Sequence, residues 1–157
     1  MNTKLTKMIR LAIFTLVAGA AFSPVTAKGQ GDDLVGAWDM VITFRDCDTE
    51  APLRERPGII SFMFGGVLQE FGTGQQIPQN RTDGQGNWSH RQGRNFSSVS
   101  KSFRFNADGS VAGTAKLFRN IQVDGDTFSA YVRSEIYDAN GVLVSQGCAT
   151  EAGTRLE

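Results

Sequence analysis

The stretch LVGAWDMVITFRDCD, residues 34–48, alternates apolar and polar side chains from its tryptophan onward. An alternation of period two places every second side chain on the same face of a β-strand. Gly36 precedes Trp38 by two positions, and Cys47 lies near the end of the stretch. This stretch therefore predicts a half-buried first strand, with a tryptophan near its start and a cysteine near its end.

The first 27 residues have the pattern of a secretory signal peptide. Three basic residues lie within the first ten positions, and an uncharged run of apolar and small residues follows over 11–22. Small residues then precede Lys28, as cleavage requires. The apolar run of about 12 residues is too short for a membrane span, which needs about 20. We expect a leader over 1–27 and a secreted or periplasmic mature domain over 28–157, with no membrane span after the leader is removed.

The charge of the chain excludes some classes of partner. The full chain carries 16 basic and 16 acidic residues, and removal of the three basic leader residues leaves 13 and 16. A mildly acidic domain without runs of lysine and arginine lacks the basic footprint of a nucleic-acid-binding protein. About 130 residues suffice for one domain around one hydrophobic core. We expect a single domain that binds no nucleic acid, and the sequence leaves its oligomeric state open.

Cys47 and Cys148 are the only cysteines. An oxidising compartment allows two such residues to join, so export predicts a disulfide between them. It would close a loop of about 100 residues and stabilise the fold by about 4–5 kcal/mol through its effect on the unfolded chain. Two free thiols are the alternative. Two cysteines and one histidine form no ligand cluster, so the sequence predicts neither a metal nor another cofactor.

Turn signals divide the remaining chain into short strands. The segments 106–109, 124–125 and 138–141 combine Asn or Asp with Gly in the spacing of tight hairpin turns. The apolar spacing is that of strands, and no helical stripe occurs. The polar, glycine-rich segment 72–86 is predicted to be mainly loop. About eight strands result, namely the opening strand and segments near 58–64, 67–72, 87–92, 94–106, 109–123, 126–138 and 141–155.

Pairing across these turns places one set of side chains on a common face. A tight turn at 124–125 places Ile121 opposite Phe128, and a bulged turn at 106–109 places Phe103 opposite Gly113. Large and small side chains alternate on this face, as the interior of a small barrel requires. Closure of the first strand on the last removes the exposed sheet edges. We predict an all-β, eight-stranded antiparallel up-and-down barrel whose interior contains Phe103, Phe105, Val111, Gly113, Ala115, Leu117, Ile121, Phe128, Ala130, Val132 and Ile136.

The glycine-x-tryptophan at Gly36 and Trp38, the eight-strand pattern and Arg155 near the end of the last strand together resemble the calycin superfamily. In lipocalins and their relatives the tryptophan plugs the closed end of the barrel, and an arginine from the last strand lies across it. The resemblance implies these roles for Trp38 and Arg155, which would form a cation–π contact. The sequence shows no C-terminal helix after Arg155, and in this respect it is similar to compact barrels of the avidin or allene oxide cyclase type. The mature region is also similar to exported bacterial proteins of unassigned function.

The sequence supports two alternative assignments of which side chains of the last strand face the interior of the barrel. A bulged turn at 138–141 points Cys148 toward the interior. Pairing of Arg155 with the first strand at the tryptophan points Cys148 outward instead. A bulge at Gly147 or Gly153 would reconcile these two interpretations.

Candidate catalytic residues are few. His90 is the only histidine, and its short polar segment indicates a solvated side chain. No nucleophile elbow, phosphate-binding loop or paired-carboxylate motif occurs. Glu70 and Glu135 are interpreted as surface charges. The sequence therefore predicts no catalytic residue.

Arg119 has the phase of Leu117 and therefore faces the interior, where unpaired charges are rare. It either reaches the barrel mouth or anchors an anionic ligand. The preferred function is an exported, non-catalytic barrel that binds a small apolar or amphipathic molecule. The alternatives are an isomerase or cyclase of the allene oxide cyclase type, and a ligand-free module whose loops bind a protein or glycan. A cavity below about 300 Å³ would argue against the first two functions. The expected ligand-lining residues are Trp38, Phe103, Phe105, Leu117, Arg119, Phe128, Val132 and Ile136.

Overall fold

The computed structural model describes residues 33–71 and 80–157, and the predicted leader over 1–27 lies outside these residues. Eight strands and no helix occur in the described ranges. These ranges therefore contain no helix that is long and apolar enough to cross a membrane. The strands are β1 (Gly36–Arg45), β2 (Pro52–Met63), β3 (Val67–Phe71), β4 (Gly84–Gln92), β5 (Asn95–Phe105), β6 (Val111–Asp124), β7 (Thr127–Tyr137) and β8 (Leu143–Arg155).

The eight strands form one closed barrel. Each strand pairs antiparallel with its neighbours in the chain, and β1 also pairs with β8. The prediction of an all-β, eight-stranded antiparallel up-and-down barrel is confirmed. We call the end that holds Trp38 the closed end, and the opposite end, which holds Cys47, the mouth.

The closed end is filled by aromatic rings. Trp38 is fully buried, and its indole N–H donates a hydrogen bond to the Leu34 carbonyl at 3.0 Å. Phe128 contacts Trp38 edge to face, with ring centroids 5.2 Å apart. Gly153 lies opposite Phe128, and a Cβ at this position would overlap the Phe128 ring. The packed core of this half also contains Met40, Ile60, Phe62, Leu68, Phe96, Ile121 and Val123, with Trp88 packed against it.

Arg155 lies directly opposite Trp38 in the pairing of β8 with β1. Its guanidinium carbon is 4.1 Å from the centroid of the tryptophan ring system. The same guanidinium donates hydrogen bonds to the carbonyls of Asp33 and Val35 at 2.7 Å, and it forms an ion pair with Asp126 at 3.0 Å. Arg155 therefore joins the chain before β1 to the β6–β7 turn across the face of the tryptophan.

Cys47 and Cys148 form a disulfide, with their Cα atoms 5.3 Å apart. This finding confirms the predicted pairing and excludes the alternative of two free thiols. The bond lies near the mouth, at the seam between β1 and β8, where Cys148 pairs with Arg45 on the outer face. Cys148 therefore points outward. The required bulge is at Val144, which lies between the paired positions 143 and 145, and the predicted bulge at Gly147 or Gly153 is wrong.

One predicted interior segment is displaced by a bulge. Phe105 pairs with Val111 as predicted, but Arg104, rather than Phe103, pairs with Gly113. The extra residue at position 112 shifts β5 by one position, and a shift of one residue exchanges the two faces of a strand. The interior positions predicted for Phe103 and Val111 are therefore wrong, since these side chains are 50% and 51% exposed. The inward-facing side chains of β5 are Phe96, Ser98, Ser100, Ser102 and Arg104.

The β6–β7 hairpin turns one residue later than predicted. Ile121 therefore lies opposite Ala130, and Phe128 lies opposite Val123. This pairing differs from the predicted one by two residues, and a shift of two residues preserves the face. The predicted inward phase of β6 and β7 is consequently observed for Leu117, Ile121, Phe128, Val132 and Ile136.

Candidate functional site

A buried ionic layer crosses the middle of the barrel. Arg119 on β6 is 2% exposed, and it binds Glu151 on β8 through two hydrogen bonds, Nε to Oε2 at 2.9 Å and Nη2 to Oε1 at 3.1 Å. Its Nη2 also donates to Glu70 on β3, and its Nη1 donates to Ser100 Oγ at 2.9 Å. Two carboxylates therefore occupy the Arg119 guanidinium, and its charge is not free to anchor an anionic ligand.

Glu70 is 3% exposed, so its interpretation as a surface charge is wrong. It lies opposite Gly84 on β4, and a Cβ at that glycine would be 2.5 Å from Glu70 Oε1. The missing side chain thus provides the space that the carboxylate occupies. Glu135, in contrast, lies on the outer face and forms an ion pair with Arg133 at 3.0 Å.

The two guanidiniums beside Glu70 determine its charge. Burial opposes ionisation, but Arg119 and Arg81 outweigh burial and hold the pKa of Glu70 below its ordinary value. Burial also opposes the charged form of Arg119, yet Glu151 and Glu70 raise the pKa of Arg119 above its ordinary value. Both partners of this pair stay charged at neutral pH. Glu70 is therefore poorly suited to proton transfer, which requires a pKa near the working pH.

A partly enclosed cavity of about 100 Å³, which we call the enclosed cavity, lies on the mouth side of the ionic layer. Glu70, Arg119 and Glu151 form its polar floor, and Arg81 borders it. A dry cavity of about 150 Å³ holds a benzene molecule, so this cavity accommodates an apolar group somewhat smaller than benzene. Its walls are mostly apolar and include Met40, Ile42, Phe44, Phe71, Leu117, Val132 and Ala149.

A second, open cavity of about 380 Å³ occupies the mouth itself. It shares Phe44, Arg81, Leu117 and Ser134 with the enclosed cavity, so the two spaces adjoin. Its volume falls within the range of about 300–1,000 Å³ that is typical of ligand pockets. The remaining lining residues are Arg54, Arg56, Asn80, Arg104, Phe105, Ala115 and Ile136.

The predicted ligand-lining residues are dispersed over the barrel. Leu117, Arg119 and Val132 line the enclosed cavity, and Phe105 and Ile136 line the mouth together with Leu117. Trp38 and Phe128 belong to the packed closed half, and Phe103 is on the outer surface. A role in ligand contact remains a prediction for all eight residues of this set.

Sequence reasoning missed the two carboxylates of the ionic layer and the arginines of the mouth. Arg54 and Arg56 have the same parity along β2 as Ile60 and Phe62, which are buried in the core. Extending that alternation toward the start of β2 would have placed both arginines inside the barrel. Glu151 carries no comparable local signal, since its inward position depends on the bulge at Val144.

His90 lies toward the closed end, where Nε2 forms a hydrogen bond of 2.7 Å with the Gly93 carbonyl oxygen and the ring contacts Phe96. It lines neither of the two cavities. Across residues 33–71 and 80–157, no three side chains of His, Cys, Asp or Glu converge to form a metal site.

Comparisons with protein-family models, with curated proteins and with solved structures found no match. The closed eight-stranded barrel is consistent with a calycin-like fold. Membership of the calycin superfamily, and similarity to exported bacterial proteins, remain predictions from the sequence.

Proposed function

We propose that this barrel binds a small amphipathic molecule in its mouth half, without catalysing a reaction. One observation carries the proposal, namely the enclosed apolar cavity of about 100 Å³ that adjoins the open mouth of about 380 Å³. An apolar group would enter the enclosed cavity, and the rest of the molecule would occupy the mouth. The combination of apolar walls with a few polar groups is typical of small-molecule sites.

The ionic layer argues against the isomerase or cyclase alternative. The two carboxylates nearest the enclosed cavity are both bound to Arg119. A catalytic acid or base must exchange a proton with the substrate, whereas Glu70 is held ionised by two arginines. Binding therefore agrees better with these side chains than catalysis does.

One observation favours the alternative function, a ligand-free interaction module. The enclosed cavity alone is smaller than the roughly 300 Å³ expected of a ligand pocket. Binding of a ligand therefore requires that the mouth contribute to the site. The Cys47–Cys148 disulfide supports the secreted or periplasmic location that we propose for either function, because disulfides persist in oxidising compartments.

A fluorescence titration with N-phenyl-1-naphthylamine, an uncharged apolar probe, tests the proposal. The edge of its phenyl ring would enter the enclosed cavity, and its naphthyl group would occupy the mouth. Ala149 lines the enclosed cavity, so Ala149→Leu should fill that space and weaken binding by about tenfold or more. Ala152→Leu is the matched control, because Ala152 is an exposed residue of the same strand. Lack of saturable binding by the unmodified protein, or equal binding by the two variants, would contradict the proposed site.

A further inference from the structure

We infer that the mouth binds the anionic head group of its ligand, a carboxylate, sulfonate or phosphate, and that Arg54 and Arg104 are its principal contacts. This inference rests on the proposed function, because it specifies the ligand class of the same site. The apolar part of such a ligand would point toward the enclosed cavity. Its head group would lie at the level of the arginines.

The charges that line the two cavities do not balance. Five arginines line them, at positions 54, 56, 81, 104 and 119, whereas the lining acids are Glu70 and Glu151. Both acids are already bound to Arg119. Arg56 has an interaction of its own, so it is left out of the balance. The other four arginines still exceed the two acids by two charges, and none of the described mouth-lining residues is acidic.

The arginines of the mouth differ in the contacts that their guanidinium groups form. Arg81 forms an ion pair with Glu70 at 2.8 Å and so belongs partly to the ionic layer. The Arg54 guanidinium carbon lies 4.4 Å from the centroid of the Phe44 ring, and this contact with a ring occupies none of its N–H donors with an oxygen acceptor. Neither Arg54 nor Arg104 forms an ion pair with a described residue, so their charges are available in the mouth.

Three arginines elsewhere on the barrel, Arg94, Arg133 and Arg155, form ion pairs with acidic side chains. Arg94 pairs with Asp124 at 2.6 Å, and Arg133 pairs with Glu135 at 3.0 Å, both on the outer surface. Like charges gathered in one concavity repel each other, and the surrounding apolar walls strengthen that repulsion. A ligand anion would relieve it. The excess also cannot follow from a basic composition, because the full chain has equal numbers of basic and acidic residues.

The donor type indicates the chemistry of the head group. A guanidinium presents a planar fork of N–H donors that matches the paired oxygens of a carboxylate or phosphate. Phe44, Phe105 and Ile136 line the same mouth and provide apolar contacts below and beside the head group. The site therefore matches an organic anion with a compact apolar body better than it matches an inorganic ion or a neutral lipid.

Two probes with the same ring system separate the charge from the apolar body. The probe 8-anilinonaphthalene-1-sulfonate carries a sulfonate that N-phenyl-1-naphthylamine lacks. At low ionic strength, we expect the protein to bind the sulfonate at least about tenfold more tightly than the neutral probe. Arg54→Gln/Arg104→Gln should abolish most of this preference, measured in each variant as the ratio of its affinities for the two probes. Arg104→Lys, which keeps the charge but loses the fork, should retain part of the preference.

Arg133→Gln is the matched control, because it removes the same charge from the outer face of the barrel. It should leave the preference for the sulfonate unchanged, and circular dichroism should show that every variant keeps the strand-rich fold. Equal affinity of the unmodified protein for both probes, or an undiminished preference in the double variant, would overturn the inference while the proposed function stands. Binding of the sulfonate without binding of the neutral probe would support the inference and count against the apolar site. Binding of neither probe would overturn both.

Discussion

Replacement of Arg119 by methionine is the most direct test of the buried ionic layer. Methionine reproduces the unbranched stem of arginine as far as Nε and is readily buried, so the substitution mainly removes the guanidinium with its charge and hydrogen-bond donors. It leaves the Glu151 carboxylate without its only described hydrogen-bond partner, and it leaves Glu70 with Arg81 alone among its arginines. The loss of stability should therefore come chiefly from the carboxylates that remain.

The structure sets the size of this loss. Arg119 donates four hydrogen bonds, two to Glu151 and one each to Glu70 and Ser100, and all of these groups are nearly inaccessible to solvent. Removing one partner of a buried ion pair typically costs about 3–5 kcal/mol, because a buried charge is left uncompensated. We expect Arg119→Met to lower the free energy of unfolding by about that amount, a large share of the roughly 5–15 kcal/mol of an ordinary domain.

A double variant tests whether the uncompensated Glu151 carboxylate causes this loss of stability. Arg119→Met/Glu151→Leu removes the stranded carboxylate, and apolar replacements of buried ion pairs are often neutral or stabilising. The double variant should therefore recover most of the lost stability. Arg133→Met is the control, because its ion pair with Glu135 is on the outer face and should contribute under about 1 kcal/mol.

Urea denaturation at pH 7 provides the measurement, with the fluorescence of Trp38 and Trp88 as the signal. A loss below about 1 kcal/mol in Arg119→Met would refute the reasoning, because it would mean that the carboxylates do not depend on this arginine. A double variant no more stable than the single one would show that Glu151 is not the source of the cost.

Three further predictions follow from other features. In a double-mutant cycle on Trp38 and Arg155, Trp38→Ala should lower the free energy of unfolding by about 3–5 kcal/mol, and Arg155→Ala should lower it by less. Urea melts should give a coupling energy above about 0.5 kcal/mol, because the two side chains are in contact. Additive losses would mean that they do not interact. Burial opposes ionisation of Glu70, but Arg119 and Arg81 lower its pKa below the ordinary 4.5, so its stabilising effect is complete above that pH and is lost as the pH falls through the folded-state pKa. The difference in unfolding free energy between the unmodified protein and Glu70→Gln should accordingly shrink as the pH falls below 4.5, and a difference independent of pH would contradict the assignment. Intact-mass analysis of exported protein should show a chain that begins near Lys28, whereas a mature chain that retains Met1 would exclude the predicted leader.

Local patterns in the sequence were sufficient to predict the barrel but not the ionic layer. The turn signals and the alternation within each strand specify which residues form hairpins, and the inward phase of Arg119 follows from its neighbour Leu117. The partners of Arg119 lie on β3 and β8, which are not adjacent to each other in the sheet. Their meeting depends on barrel closure and on the register of every intervening hairpin, which no local pattern records.

The two bulges explain the remaining errors. The extra residue at position 112 exchanges the faces of β5, so that Phe103 points outward and Arg104 points into the mouth. The extra residue at Val144 fixes Glu151 inside and Cys148 outside. A bulge alters the backbone by a single residue and has no strong sequence signal, yet it reverses the face of every residue on one side of it. The inward position of Arg104 was missed for this reason.

The seam between β1 and β8 has a consequence for the rate at which the protein folds. Among the described strand pairs it is the one that joins strands distant in the chain, whereas each of the others joins consecutive strands. Hairpins can form from local contacts, but the seam must wait until the two ends of the sheet meet, and such non-local pairing slows folding. The Cys47–Cys148 bond keeps these two ends close even in the unfolded chain, which removes most of the entropy that the search for closure would otherwise cost. Oxidised protein diluted from urea should therefore refold faster than reduced protein, because the disulfide accelerates the closure of the barrel.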